Sequence, residues 1–106
     1  MFRRILVSFL FAVCLAGSLS AVEHEVGQKE KKFTVENLKV KVGDVVSFPN
    51  YDSFFHNIYS LSSEKIFDLG SYSQGQTKKV KFDKAGKILV ECAIHPGMKM
   101  TIDVQP

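Results

Sequence analysis

From Val22 onward, apolar and polar residues alternate in short runs, and the runs are separated by turn-forming residues. Alternation with a period of two sends successive side chains to opposite faces of an extended strand. Strands are predicted at Glu23–Gln28, Leu38–Val42, Val45–Pro49, Asn57–Ser60, Lys65–Leu69, Thr77–Phe82, Lys87–Cys92 and Met100–Val104. Val80 and Phe82 share one face and Lys79 and Lys81 the other. Met100, Ile102 and Val104 form a core face, with Thr101, Asp103 and Gln105 turned outward. Gly43-Asp44 and Asp83–Gly86 carry turn signals, and Pro49, which has no amide hydrogen to donate, should end its strand. The polar stretch Gly27–Lys32 reads as a loop, and a single helical turn is expected at Ser62–Lys65. No long segment after residue 21 repeats at the helical period. The pattern therefore predicts an all-β domain, a sandwich or a barrel of about eight strands.

The N-terminus changes the picture of where the domain works. A basic start, Met1-Phe2-Arg3-Arg4, leads into an apolar run from Ile5 to Ala16 and then small residues up to Ala21. This is the pattern of a secretory signal peptide, assigned to residues 1–20 with cleavage after Ser20 or Ala21. The apolar run falls short of the roughly 20 residues that span a bilayer, although a retained N-terminal anchor is the alternative. Residues 21–106 then form one exported domain, periplasmic in location and with no membrane span left after the signal is removed. The net charge of +3 falls nearly to neutral once Arg3 and Arg4 are set aside, which gives no grounds for a nucleic-acid partner. Cys92 becomes the only cysteine, so no internal disulfide can form. A lone thiol in an exported protein points to a metal ligand, a reactive thiol or an intermolecular bridge.

The surroundings of that thiol favour a metal. Cys92-Ala93-Ile94-His95-Pro96-Gly97-Met98 places a thiolate, an imidazole and a thioether on one short segment, and His56 offers a second imidazole. Pro96-Gly97 favours a tight reversal that returns Met98 toward Cys92 and His95. Two imidazoles and one thiolate in a plane, with a weakly bound methionine on the axis, suit copper in both of its oxidation states. Zinc accepts Cys and His but usually collects further cysteines or a hard oxygen ligand. Met100 also follows His95, but it fits the buried face of the last strand, so Met98 is the preferred axial ligand. The predicted metal ligands are thus His56, Cys92, His95 and Met98, and the cofactor one copper ion.

Lys41-Val42-Gly43-Asp44-Val45-Val46-Ser47-Phe48-Pro49-Asn50, His56-Asn57, Gly86 and the Cys92–Met98 loop together resemble the small blue-copper cupredoxins of the plastocyanin and amicyanin kind. The resemblance spans about Val22 to Val104, and the Cys-x-x-His-x-x-Met spacing is similar to that of amicyanin. It implies a Greek-key β-sandwich, the same four copper ligands, and a side chain at Asn57 that braces the ligand loop near Cys92. It also implies a one-electron carrier rather than an enzyme, acting as a monomer with transient protein redox partners. His95 would be the electron port, with Pro96 and Gly97 forming an apolar docking patch. Phe55 stands where related sequences often carry proline. Two rival readings share these ligands or this fold: a protein that delivers copper, and a metal-free interaction module. His24 reads as an exposed strand residue, and Lys78, Lys79, Lys81, Lys84 and Lys87 as a solvated face that also protects an edge strand.

Overall fold

The computed structural model describes residues 21–106; the expected signal peptide, residues 1–20, lies outside the described residues. Ten strands form in it: β1 (Glu23–Glu25), β2 (Gln28–Lys29), β3 (Lys32–Phe33), β4 (Asn37–Lys41), β5 (Val45–Pro49), β6 (His56–Ser60), β7 (Phe67–Tyr72), β8 (Thr77–Lys81), β9 (Gly86–Cys92) and β10 (Lys99–Gln105). One sheet has the order β1-β5-β8 and the other β4-β10-β9-β6-β7, while β2 and β3 make a separate hairpin. β1 runs parallel to β5 and β4 parallel to β10; the other pairs are antiparallel. This is the all-β sandwich expected from the alternation.

The alternation also assigns the faces correctly. Val80, Phe82, Ile88, Val90, Met100, Ile102 and Val104 are all buried, and they join Phe48, Ile58 and Tyr72 in one core between the sheets. Burying each such side chain stabilises the fold by about 1.5–3 kcal/mol. Leu89, between Ile88 and Val90, is exposed, as period two requires.

Five local expectations are corrected. The predicted strand Glu23–Gln28 breaks after Glu25, and its last residue opens β2. The stretch Gly27–Lys32 holds most of a two-residue hairpin, with Glu30 and Lys31 at φ of 57° and 60°. Positive φ at both central residues is the type I′ turn that matches strand twist, normally built from Asn and Gly. The predicted strand Lys65–Leu69 is shifted to β7, because Gly70 does not stop the strand but sits at φ 73° where the β6–β7 register slips between Asn57 and Tyr59. Ser62–Lys65 is a turn closed by Lys65 N donating to Ser62 O at 3.0 Å, not a helical turn. His24, expected to be exposed, is half-buried against Asp44.

The hairpin is tied to the sandwich beneath it. Tyr51 N donates to the Gln28 carbonyl at 2.9 Å. The buried Gln28 Nε2 donates to the Tyr72 hydroxyl at 2.9 Å, which donates in turn to the Phe48 carbonyl at 2.7 Å. Burial pushes the Tyr72 phenol up to about 12, so it keeps the proton that this chain needs.

Candidate metal centre

His56 opens β6 and Cys92 closes β9, and these neighbouring strands are paired with Ile58 opposite Cys92. On β6 the buried positions are His56, Ile58 and Ser60; on β9 they are Ile88, Val90 and Cys92. Both donors therefore stand on the core face at the same end of the sheet. The rhythm that fills the middle of the sandwich with aliphatic side chains delivers a thiol and an imidazole at its end.

The third donor comes from the connection to β10. Met98 N donates to the His95 carbonyl at 3.1 Å, and Gly97 has φ 91°. Proline and then a positive-φ glycine in the central positions of such a turn are the type II arrangement, with proline presetting φ and glycine accepting the left-handed region. Cys92 N then donates to the Met98 carbonyl at 3.2 Å and closes the loop on itself. His95 is held over the end of the sandwich by these two bonds.

The structure brings the three donors together. Cys92 Sγ lies 3.6 Å from His56 Nδ1 and 3.7 Å from His95 Nδ1, and all three ligand atoms are within 4.8 Å of one another. For an ion with bonds of about 2.3 Å to sulfur and about 2.0–2.1 Å to nitrogen, trigonal to tetrahedral angles put the donors about 3.6–3.8 Å apart. Both sulfur–nitrogen spacings meet that requirement. Burial first, and then the nearby His56 and Lys31, hold the His95 imidazole below its ordinary value, with Asp52 pulling the other way. A neutral imidazole has a lone pair to offer a metal.

Met98 is buried, and so is Met100. The β9–β10 register separates them: Met100 is opposite Val90, whereas the Met98 carbonyl is bonded to the Cys92 amide. Met98 is thus level with the cysteine and Met100 one layer further into the core.

Asn57 does not do what was expected of its side chain. Its Nδ2 donates to Asp68 Oδ1 at 2.7 Å, on the bulged part of β7. The brace to the ligand loop runs through its backbone instead, with Ala93 N donating to the Asn57 carbonyl at 2.9 Å. The bulge at Gly70 draws the side chain away, since Gly70 N donates to the same Asp68 oxygen.

Three other residues shape the site. The fully buried Asn50 donates from Nδ2 to the carbonyls of Phe54 and Tyr72, at 2.9 and 3.0 Å, and accepts Asp52 N on Oδ1 at 2.8 Å, so it staples the loop that leads to His56. Phe54 packs on both imidazoles, with ring centroids 5.4 Å from His56 and 5.2 Å from His95. Asp52 Oδ2 lies 2.8 Å from His56 Nε2. Sequence reasoning met Asn50 only as part of the family resemblance and gave Asp52 no role; an acid four residues before a candidate ligand histidine was visible, but not the loop that turns one toward the other. Pro96 and Gly97 are exposed beside His95, and Phe55 and Ile94 add exposed apolar surface.

Residues 20–105 match the model of the family described as copper binding proteins, plastocyanin/azurin family. The methylamine utilization protein MauL of Methylorubrum extorquens is 34% identical over 106 residues, covering 98% of this chain and 93% of that protein. Amicyanin-alpha of the same organism is 30% identical over 103 residues, covering 89% and 87%. Among solved structures, an oxidised amicyanin point mutant superposes with a TM-score of 0.72 at 25% identity, over 77% of this chain and 81% of that one. The copper-containing nitrite reductase of Thermus scotoductus gives 0.75 at 25% identity over 83% of this chain, which spans only 23% of that enzyme.

Proposed function

The chain belongs to the plastocyanin/azurin family of copper-binding proteins, and on that premise we propose that His56 Nδ1, Cys92 Sγ, His95 Nδ1 and the Met98 thioether hold its one copper ion. The protein is a blue-copper one-electron carrier, not an enzyme. Bound copper supplies the redox chemistry by alternating between Cu(II) and Cu(I). Cys92 would hold the ion as a thiolate, with its thiol proton released to solvent. His56 and Cys92, both buried, keep water from the inner side of the site. The stiff β6–β9 pair keeps the donors in one arrangement, so little has to move when the charge changes.

His95, half-buried where His56 and Cys92 are buried, is the outer ligand and the port through which a partner is reached. Pro96 and Gly97, with Phe55 and Ile94 alongside, suit a brief encounter with another protein, the small and short-lived interface typical of redox partners. We place the carrier, as a monomer, in the periplasm or an equivalent exported compartment; the support is the basic, apolar and small-residue succession of residues 1–21. The burial of three of the four ligands, His56, Cys92 and Met98, favours an ion kept through many cycles over one delivered to an acceptor.

The observation that carries this reading is the convergence of one thiol and two imidazole nitrogens at 3.6 and 3.7 Å. Loading with Cu(II) is expected to give an intense visible band from the copper–thiolate bond and a matching EPR spectrum, both lost on reduction. Cys92→Ser is expected to abolish the band; a mutant that stays blue refutes the role given to Cys92.

A further inference from the structure

The loop before His56 carries a carboxylate that the copper ligands do not use. Asp52 is buried, yet it accepts two backbone hydrogen bonds, Glu30 N on Oδ1 at 2.7 Å and Lys31 N on Oδ2 at 3.1 Å, and its Oδ2 lies 2.8 Å from His56 Nε2. Each carboxyl oxygen therefore already takes a backbone amide proton, Oδ1 from Glu30 and Oδ2 from Lys31. With both oxygens engaged as acceptors, the arrangement that satisfies every group places the proton of this contact on His56 Nε2. The other ring nitrogen, Nδ1, is then the one with a free lone pair, and it is the one that faces Cys92 Sγ at 3.6 Å.

The same carboxylate meets a strained backbone. Glu30 and Lys31 both lie in the left-handed region, which costs an L-residue about 1–2 kcal/mol each. Their amides point at Asp52, and charge-assisted bonds of this kind are about twice as strong as neutral ones. Lys31 also reaches back over the site, with Nζ 5.7 Å from the centroid of Phe54, the ring that packs on both ligand imidazoles.

We propose that Asp52 is a positioning residue of the copper centre: it fixes His56 in the tautomer that offers Nδ1, anchors the Glu30–Lys31 hairpin tip to that ligand, and holds the reduction potential down with its negative charge. This rests on the copper reading above. A carboxylate on the far nitrogen makes a ligand imidazole more electron-rich, which favours Cu(II) over Cu(I). Asparagine keeps the size but carries no charge, and it has one accepting oxygen for three donors.

The test is Asp52→Asn. Cu(II) affinity is expected to fall roughly 10–100-fold, the usual effect of removing a partner of a ligand histidine. Cu(I) affinity should fall less; a tenfold difference between the two raises the one-electron potential by about 59 mV. A variant that keeps its blue band and its potential while losing only thermal stability makes Asp52 a structural anchor and overturns the proposal. To guard against a variant that does not fold, the substitution is repeated with Glu30→Gly and Lys31→Gly, which accept positive φ without strain. Measured against the Glu30→Gly, Lys31→Gly parent, which already lacks the Lys31 charge, the potential should still rise, because the effect travels through His56 and not through the hairpin. Metal-free wild type gives an independent readout: ¹⁵N NMR of His56 should show the proton on Nε2, and a proton on Nδ1 refutes the assignment. If the wild type binds copper without a blue band, the electron-carrier reading fails, while the NMR result still decides whether Asp52 orients His56.

Discussion

Two histidine–aspartate pairs sit in this sandwich, and locally they are nearly the same. At the copper end, Asp52 accepts His56 Nε2 at 2.8 Å and the amides of Glu30 and Lys31. Elsewhere, Asp44 accepts His24 Nε2 at 2.9 Å and the amides of Val22 and Lys41, both at 3.0 Å. Each carboxylate ties an earlier stretch of chain to the start or end of β5, and each is held below the usual carboxylate range. They differ at the other ring nitrogen. His56 is fully buried and turns Nδ1 toward a thiol and a second imidazole, whereas His24 is half-buried and belongs to no cluster of metal donors among the described residues. A carboxylate–histidine pair is therefore not a site in itself; what the second nitrogen meets decides whether the pair fastens the fold or tunes a metal.

The sharpest way to break the comparison is to remove each imidazole in turn. His56→Gln is expected to eliminate the blue copper spectrum, since it deletes a ligand and leaves Asp52 buried without its charge-assisted partner. His24→Gln should leave spectrum and potential untouched and cost about 0–1 kcal/mol of stability, the range for partly exposed ion pairs. Parallel titrations with Cu(II) and urea melts measure both. A blue His56→Gln protein, or a His24→Gln protein with an altered copper spectrum, would erase the distinction.

A smaller effect separates the two buried methionines. If Met98 is the axial donor proposed above, Met98→Leu leaves Cu(II), the form that wants more ligands, one donor short, so the potential should rise, by about 59 mV for each tenfold loss of Cu(II) affinity relative to Cu(I). Met100→Leu, in register with Val90, is a volume-conserving core change worth less than about 1.5 kcal/mol, and the potential should stay where it was. Voltammetry of the two variants decides which sulfur is axial: a shift in Met100→Leu alone would reverse the roles.

These contrasts also mark what the sequence could reveal. Strand faces were legible because the core is built on strict alternation, and β5 was placed to the residue because Gly43-Asp44 and Pro49 bound it. His56, Cys92 and His95 were legible because few other chemistries need those groups together. The β2–β3 hairpin was not, since Glu30 and Lys31 lack the usual turn signature and take positive φ with amides bonded to Asp52, far away in sequence. Asn57 was misread for a related reason: the acceptor that captures its side chain is set by a bulge at Gly70, and a bulge shifts register without changing the alternation on either side. What was missed depends on contacts between distant segments, which local pattern does not carry.

The mildest prediction concerns Asp44, the member of the comparison with no metal to serve. The amide of Val22, then His24 and the amide of Lys41, hold its carboxyl at about 2, below its ordinary 3.8. A folded-state value below the unfolded one gives stability that is complete above the unfolded value and disappears as pH falls through the folded one. Wild type should therefore lose this contribution between about pH 4 and pH 2. Asp44→Asn lacks it at every pH, so its thermal midpoint should lie below wild type at neutral pH and the gap should narrow across that acid window. A gap that is constant from pH 6 to pH 2 would mean that Asp44 acts through shape rather than charge. Its copper potential at neutral pH should match wild type, in contrast to Asp52→Asn, because the imidazole that Asp44 holds leads to no ligand.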